Sequence, residues 1–404
     1  MIQKQFLQEI IVDQNEGFLR KKLVDRTETL PSESNQIIIV SGVRRCGKSV
    51  LVRQSFANDQ SGIYLNFEDP RLIDFETTDF PKLELIRDEM KKTAILLDEV
   101  QNVSGWEIFA RSLHERGQKL YITGSNASML SRELGTRLTG RYKQIELFPF
   151  SYQEFLRLKK LSPEESSFQS YFELGGFPEY LQNLDSEYLR TLMRDILTRD
   201  VAMRRNITNE TQLVRLGVFL ASNVGKPFSY SRMAQLLEIK SVRTLIDYVD
   251  YLEESYLFNL IPIYSTSIRK QVANPKKAYC IDPAMAAANS ISFSKDLGRR
   301  LENFVYLHLR RSFKAIHYYR SKTAECDFLV RWNEEIVGVV QVCWDLNQDN
   351  LKRETKGLKA AMDETGLSKG YLITYDQEDQ LGDIIVVPAW KWFLQPAKSY
   401  FEIG

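Results

Sequence analysis

Residues Gly42 to Ser49 read Gly-Val-Arg-Arg-Cys-Gly-Lys-Ser, a complete G-x-x-x-x-G-K-[ST] pattern between an apolar run, Ile37-Ile38-Ile39-Val40, and a helix-compatible segment, Val50 to Phe56. The chemistry of that spacing is phosphate binding. Glycines let the backbone curl so that successive N–H groups face a triphosphate, and a lysine at this position reaches the β and γ oxygens. The run Gly42, Val43, Arg44, Arg45, Cys46, Gly47, Lys48, Ser49 and Val50 is therefore the candidate cradle, with the Ser49 hydroxyl as one ligand of Mg²⁺. The first turn of the following helix adds its positive dipole end.

A second segment supplies acid. Thr93-Ala94-Ile95-Leu96-Leu97-Asp98-Glu99 has the composition of a buried strand that ends in two carboxylates. Asp98 at that point is the expected partner of Mg²⁺, and Glu99 the expected group that orients and activates water. GTPases usually position their water with glutamine and read guanine through an Asn-Lys-x-Asp box, which this chain lacks, so ATP is favoured over GTP. A third run, Lys119-Leu120-Tyr121-Ile122-Thr123-Gly124-Ser125-Asn126, ends in polar residues where a side chain can sense the γ-phosphate or water. Asn126 is the first candidate there and Ser125 the alternate. Arg137 and Arg141, in the Gly-containing stretch beyond, are candidate arginine fingers, acting within one chain or across a neighbour.

Elements must bring these groups together. Strand candidates at Ile37–Ser41, Gly62–Phe67, Ala94–Asp98, Leu120–Gly124 and Gln144–Leu147 alternate with amphipathic helices, which predicts an α/β core over about 1–150 with a mostly parallel sheet. Residues 151–208 read as helical, broken at Gly175-Gly176-Phe177-Pro178. Residues 209–285 read as helices Leu213–Ala221, Ser229–Leu237 and Val242–Glu253 followed by strands at Leu257–Tyr264 and Lys277–Cys280, a winged-helix order. Its third helix carries Arg243 against Asp247 and Asp250, a poor charge balance for neutralising DNA phosphates. The basic run containing Arg194, Arg199, Arg204 and Arg205 is the better local patch.

These residues resemble the AAA-type ATPases, and within them a group described among bacteria, related to the archaeal ATPases, in which the core precedes a C-terminal domain of unknown function. The marks are the phosphate loop, Leu-Leu-Asp-Glu-Val-Gln (Leu96 to Gln101), Thr-Gly-Ser-Asn (Thr123 to Asn126), Leu-Thr-Gly-Arg (Leu138 to Arg141) and Gly-Gly-Phe-Pro-Glu (Gly175 to Glu179). The resemblance implies a helical lid over 151–208 and an ATP- and Mg²⁺-dependent hydrolase that works as a conformational switch on a protein or nucleic-acid partner. It leaves room for a homo-oligomer.

Residues 290–404 carry another resemblance. A helix over Leu297–Phe313 holds Glu302, a strand pair over Ala315–Trp332 holds Asp327, a strand over Ile336–Val342 holds Gln341, and a helix around Leu351–Thr365 and a strand over Tyr371–Thr374 follow. This order resembles the PD-(D/E)xK nuclease fold, with Cys343 where that pattern has its lysine. A thiol neither suits a hard-metal oxygen site nor supplies cationic charge. The expectation is a nuclease-like domain without nuclease activity, in which Glu302, Asp327 and Gln341 converge with no lysine ammonium in reach, although Lys322 or Lys356 could approach from elsewhere. The alternatives are an ATP-gated DNA-processing nuclease and a nucleotide-responsive DNA-binding regulator.

Composition bounds the rest. The 404 residues suit two or three domains. Lys and Arg number 54 against 53 Asp and Glu, so no global basic field announces nucleic acid or an anionic membrane. Four scattered cysteines and three histidines argue against a zinc or disulfide framework. With no signal-like or membrane-length apolar run, the expectation is a cytoplasmic protein.

Overall fold

The computed structural model of the chain describes residues 1–20, 24–31, 34–56, 61–126, 138–292, 296–401 and 403. They form two compact units, Met1–Pro149 with Glu254–Tyr256, and Phe150–Glu253 with Leu257–Gly404.

In the first unit, helix α1 (Lys4–Arg20) precedes β1 (Ile37–Ser41), α2 (Lys48–Phe56), β2 (Gly62–Asn66), α3 (Phe80–Glu89), β3 (Ala94–Asp98), α4 (Trp106–Glu115), β4 (Lys119–Gly124) and β5 (Tyr142–Glu146). All pairings are parallel, in the order β2-β3-β4-β1-β5. Strands covered on both faces need continuous apolar runs, and every residue of β1 and β3 is buried. The core also takes Leu7 and Ile10 of α1, Leu83 and Ile86 of α3, and Trp106, Phe109 and Leu113 of α4.

An edge strand leaves backbone donors and acceptors unpaired, and α1 answers this for β2 with two adjacent amides. Asn15 Nδ2 donates to the Tyr64 carbonyl (3.0 Å) while Tyr64 N–H donates to Asn15 Oδ1 (3.2 Å). Gln14 repeats the pattern at Asn66, donating to its carbonyl (3.3 Å) and accepting from its N–H (2.7 Å). The sheet's parallel sense puts the carboxyl ends of β1, β3 and β4 on one edge, where ligands of open α/β sheets bind.

In the second unit, helices lead into β6 (Pro227–Phe228), β7 (Phe258–Ile261) and β8 (Lys276–Cys280), an antiparallel sheet ordered β6-β8-β7. Helices Glu210–Ser222, Tyr230–Leu236 and Val242–Glu254 accompany it. A six-stranded sheet follows, built from β9 (Ala315–Arg320), β10 (Glu325–Trp332), β11 (Glu335–Val342), β12 (Gly370–Thr374), β13 (Asp379–Leu381) and β14 (Ile384–Pro388), in the order β13-β14-β12-β11-β10-β9. Helices Leu297–Ser312 and Leu351–Thr365 belong to the same segment.

Two of the family marks are structural. Gly175 ends a helix at φ +71°, and a Cβ there would lie 2.5 Å from the Asp282 carboxylate, which accepts from Gly176 N–H at 2.7 Å. Only glycine allows that approach. Leu138–Arg141 closes a turn, with Arg141 N–H donating to the Leu138 carbonyl (2.9 Å). The basic run is partly spent inside the fold: Arg204 pairs with Asp200 (3.6 Å) and Arg205 stacks over Tyr251 (4.5 Å).

Glu253, on the helix Val242–Glu254, gives a pH-dependent test of this packing. Burial raises its pKa to about 7, against the opposing hydrogen bond from Leu260 N–H (2.9 Å) and the charge of Lys276. A carboxyl whose folded pKa lies above its unfolded value holds its proton better when folded, so its stabilisation is full below about pH 4.5 and is lost as pH rises towards 7. Glu253→Gln keeps the acceptor and removes the charge. Its Tm is expected to exceed the wild type's by a few degrees at pH 8, with the difference gone near pH 4.5. Equal Tm values at pH 8 would contradict the buried-charge account.

Candidate nucleotide-binding site

The loop after β1 is shaped by three residues with positive φ: Gly42 (+152°), Arg45 (+63°) and Gly47 (+100°). A Cβ on Gly42 would lie 2.2 Å from the Leu147 carbonyl oxygen, so sterics as well as φ demand glycine there, whereas at Gly47 φ makes the demand and a Cβ would crowd the Arg26 guanidinium at 3.1 Å. Lys48 opens α2 and is buried. Its ammonium donates to the carbonyls of Gly42 and Val43, each at 3.2 Å, and pairs with Glu99 Oε1 at 3.3 Å. Burial alone would lower the lysine pKa, but Glu99 and then Cys46 and Asp98 raise it, for a net upward shift.

Asp98 ends β3 inside a shell of hydroxyls. Its Oδ2 accepts from Ser49 Oγ (2.6 Å) and Tyr64 Oη (2.5 Å), and its Oδ1 accepts from Thr123 Oγ1. Burial and the neighbouring Glu99 push its pKa up, against those hydrogen bonds. Glu99 follows at φ +51°, a left-handed conformation that costs a non-glycine residue about 1 kcal/mol or more. Its N–H donates to Thr123 Oγ1 (3.1 Å), and its Oε2 accepts from Ser125 Oγ (3.1 Å) and from Gln101. Burial would raise its pKa, but Lys48, the Gln101 amide and Arg44 outweigh it and hold the acid ionised.

Lys48, Ser49, Asp98 and Glu99 thus meet at one edge of the sheet. The hard oxygen donors of Ser49 and Asp98, in direct contact, suit Mg²⁺. Ser125 touches Glu99, and Asn126 is buried at the end of β4. Arg44 pairs with Glu68 (2.5 Å), and Cys46 is a buried thiol raised in pKa by desolvation, which donates to the Leu147 carbonyl (3.4 Å).

Arg141 is not brought to this cluster. It precedes β5, where its carbonyl accepts from Ile37 N–H at the start of β1 (2.9 Å), and its guanidinium lies 4.0 Å from Glu115. The length of β1, about 13 Å at 3.3 Å per residue, separates that level from the phosphate loop. Arg137 lies outside the described residues.

Three contributors escaped the sequence reading. Arg26, fully buried, donates to the carbonyls of Cys46 (2.5 Å) and Phe148 (2.8 Å), bracing the loop from a segment without any motif. Tyr64 sits in an apolar strand and reads as core. Thr123, within the Thr-Gly-Ser-Asn mark, is the one with a sequence signal, a hydroxyl at the end of the strand beside β3.

The nuclease-like acids need a correction. Glu302, Asp327 and Gln341 do converge: Gln341 Oε1 accepts from Asp327 N–H (3.1 Å), and Lys277 Nζ bridges Glu302 (3.2 Å) and Asp327 (3.0 Å). The expectation of no ammonium in reach is overturned, because β8, remote in sequence, runs past the cluster. Lys322 and Lys356 are exposed. Cys343 is a buried thiol pushed up to about 11 by burial and Glu354.

A parallel sheet ordered β2-β3-β4-β1-β5, with a glycine-shaped lysine loop after β1 and paired acids after β3, defines a P-loop ATPase core of the AAA type. The AAA domain family matches residues 34–156, and two domains of unknown function, DUF8612 and DUF4143, match 165–295 and 297–392. The chain belongs to the AAA-type family and is similar over nearly its whole length to an uncharacterized protein of Methanocaldococcus jannaschii, 32% identical over 98% of this chain and 96% of the other. An uncharacterized protein of Haemophilus influenzae is 29% identical over 90% of this chain and 95% of its own. Among solved structures, the Saccharomyces cerevisiae Hsp104–ADP complex (12% identity, 63% of this chain, 39% of that one, TM-score 0.28) and Aeropyrum pernix ORC2 in its ADP form (12%, 64% and 86%, TM-score 0.32) overlap only loosely. No helix among the described residues is long and apolar enough to cross a membrane.

Proposed function

We propose that the chain binds and hydrolyses ATP at the edge of its parallel sheet and uses the nucleotide state to change how its second unit engages a protein or nucleic-acid partner. The observation that carries this reading is the Lys48–Glu99 ion pair at 3.3 Å inside the glycine-shaped loop. The ammonium is held by one carboxylate and two carbonyls, and phosphate oxygens would compete for it. Loss of Lys48 to phosphate frees the Glu99 carboxylate to orient water, with Ser125 holding its other oxygen and Asn126 at the strand end beside it. Ser49 and Asp98 would hold Mg²⁺, which supplies positive charge for the phosphates. The run Gly42 to Val50 contributes backbone N–H groups and the dipole end of α2.

Arg141 stands too far from its own chain's loop, so a role as a finger requires a neighbouring copy; Arg137 is the other candidate. The helix, strand and hairpin order over 210–280 supports a winged-helix reading. Its third helix spends Arg243 on Asp247 (3.1 Å), which favours a protein partner over DNA for that face.

Switching is tested by hydrogen exchange of the full chain with Mg²⁺ and a non-hydrolysable ATP analogue against ADP. The expected result is altered protection within 150–404 as well as around the loop. Protection changes confined to 1–149 would contradict the switch while leaving nucleotide binding intact.

A further inference from the structure

The carboxylates of Glu302 and Asp327 come from different elements, the helix Leu297–Ser312 and strand β10, and both are buried. Two buried carboxylates facing one gap need a cation or a retained proton between them, and burial together with Asp327 pushes Glu302 up to about 7. In a metal-dependent nuclease that cation is divalent, taking several oxygens in near-octahedral geometry. Here the gap holds the Lys277 ammonium, 3.2 Å from Glu302 Oε1, 3.0 Å from Asp327 Oδ1 and 3.2 Å from Glu325 Oε1. An ammonium has three donors, and three carboxylates receive them.

Neighbouring donors add to the hold on these acids. Tyr279 Oη donates to Glu302 Oε1 (2.6 Å), Val342 N–H to Asp327 Oδ2 (3.1 Å), and Gln341 spans Asp327 N–H and Glu354 Oε2 (2.7 Å to the latter). Gly225 closes one side: at φ +71° its Cα lies so near that a Cβ would sit 2.9 Å from Glu302 Oε2. Lys277 is 2% exposed, out of reach of a duplex phosphate. Burial would lower its pKa, but Glu302, Asp327 and Glu325 raise it, so it stays charged. Among the described residues no group of three His, Cys, Asp or Glu is arranged to hold a metal.

We infer that Lys277 is the resident cation of this cluster, occupying the seat a divalent ion would need, so that the nuclease-like acids serve as a metal-free clamp between β8 and the six-stranded sheet. The lysine lies within the segment 165–295 and its acids within 297–392, so the clamp makes these two matched domains interdependent parts of one folded unit. The inference is independent of the nucleotide reading.

The test uses the full, nucleotide-free chain and Mn²⁺ binding followed by electron paramagnetic resonance, with Tm in parallel. Wild type and Asp327→Asn should bind Mn²⁺ identically. Lys277→Met should lose about 10 °C of Tm, since it leaves buried carboxylates unbalanced. It should gain one Mn²⁺ site that restores much of that loss and vanishes when Asp327→Asn is added. A Mn²⁺ site in the wild type that Asp327→Asn removes, or Mg²⁺-dependent cleavage of DNA or RNA lost in the same variant, would overturn the inference. So would a folded Lys277→Met that gains no site. If Lys277→Met fails to fold, Lys277→Gln with Glu302→Gln keeps the charge balance and must fold without metal, and the wild-type comparison with Asp327→Asn still decides.

Discussion

Lys48→Ala is expected to lower ATP affinity by roughly 10²–10³-fold, because each charge-assisted hydrogen bond to phosphate contributes about 1.5–3 kcal/mol and, among the described residues, no second buried ammonium is aimed at the loop. The side chain is 4% exposed and already held by Gly42, Val43 and Glu99, so little ordering entropy remains to be lost on binding. Titration calorimetry with Mg²⁺-ATP reads the change directly. The variant also leaves Glu99 buried without its cation, so circular dichroism must first establish that the fold is retained. Equal affinity in the two proteins would place the nucleotide elsewhere.

Glu99→Gln is expected to do the opposite: ATP stays bound while turnover falls by roughly 10²–10⁴-fold, the range lost with a general base. The amide keeps the shape and the contact with Ser125 but cannot polarise water as a carboxylate does. The wild-type residue is suited to that work because Lys48 holds its pKa down despite burial. Phosphate release under saturating ATP checks it, with nucleotide retention measured on the same preparation. Unchanged turnover would mean that Glu99 does not activate the water.

What was legible in the sequence was local. The glycine-lysine loop, the acid pair and the five strands of the first sheet depend on short-range backbone geometry and continuous apolar runs, and they appear within a residue or two of where pattern puts them. Helix α1 carries no signal of its role in the sequence, although its Gln14 and Asn15 close the sheet edge, because their task is visible only once β2 lies beside them. The short strand β13 escapes the sequence reading as well, because Asp379 and Gln380 are exposed on a three-residue edge strand without apolar periodicity, whereas β14 carries a legible apolar run that the reading omits.

The site's hidden partners failed for a single reason, sequence distance. Arg26 reaches the loop across 20 residues and Lys277 reaches Asp327 across 50. Neither belongs to a motif, and an isolated cation in a sequence reads as surface. The missing lysine at Cys343 was legible, but its spatial replacement was not. Arg141 shows the converse, since its position in the chain leaves open whether it serves its own loop or a neighbour's, and the fold sets it at the opposite end of β1 from its own loop.

The central claim is that Lys48 exchanges Glu99 for phosphate. Its most direct test is a crystal structure of the chain with Mg²⁺ and a non-hydrolysable ATP analogue. The account predicts the Lys48 ammonium on the phosphate oxygens and released from Glu99, with Ser49 and Asp98 at the metal. An intact Lys48–Glu99 pair with nucleotide bound at another place would contradict it.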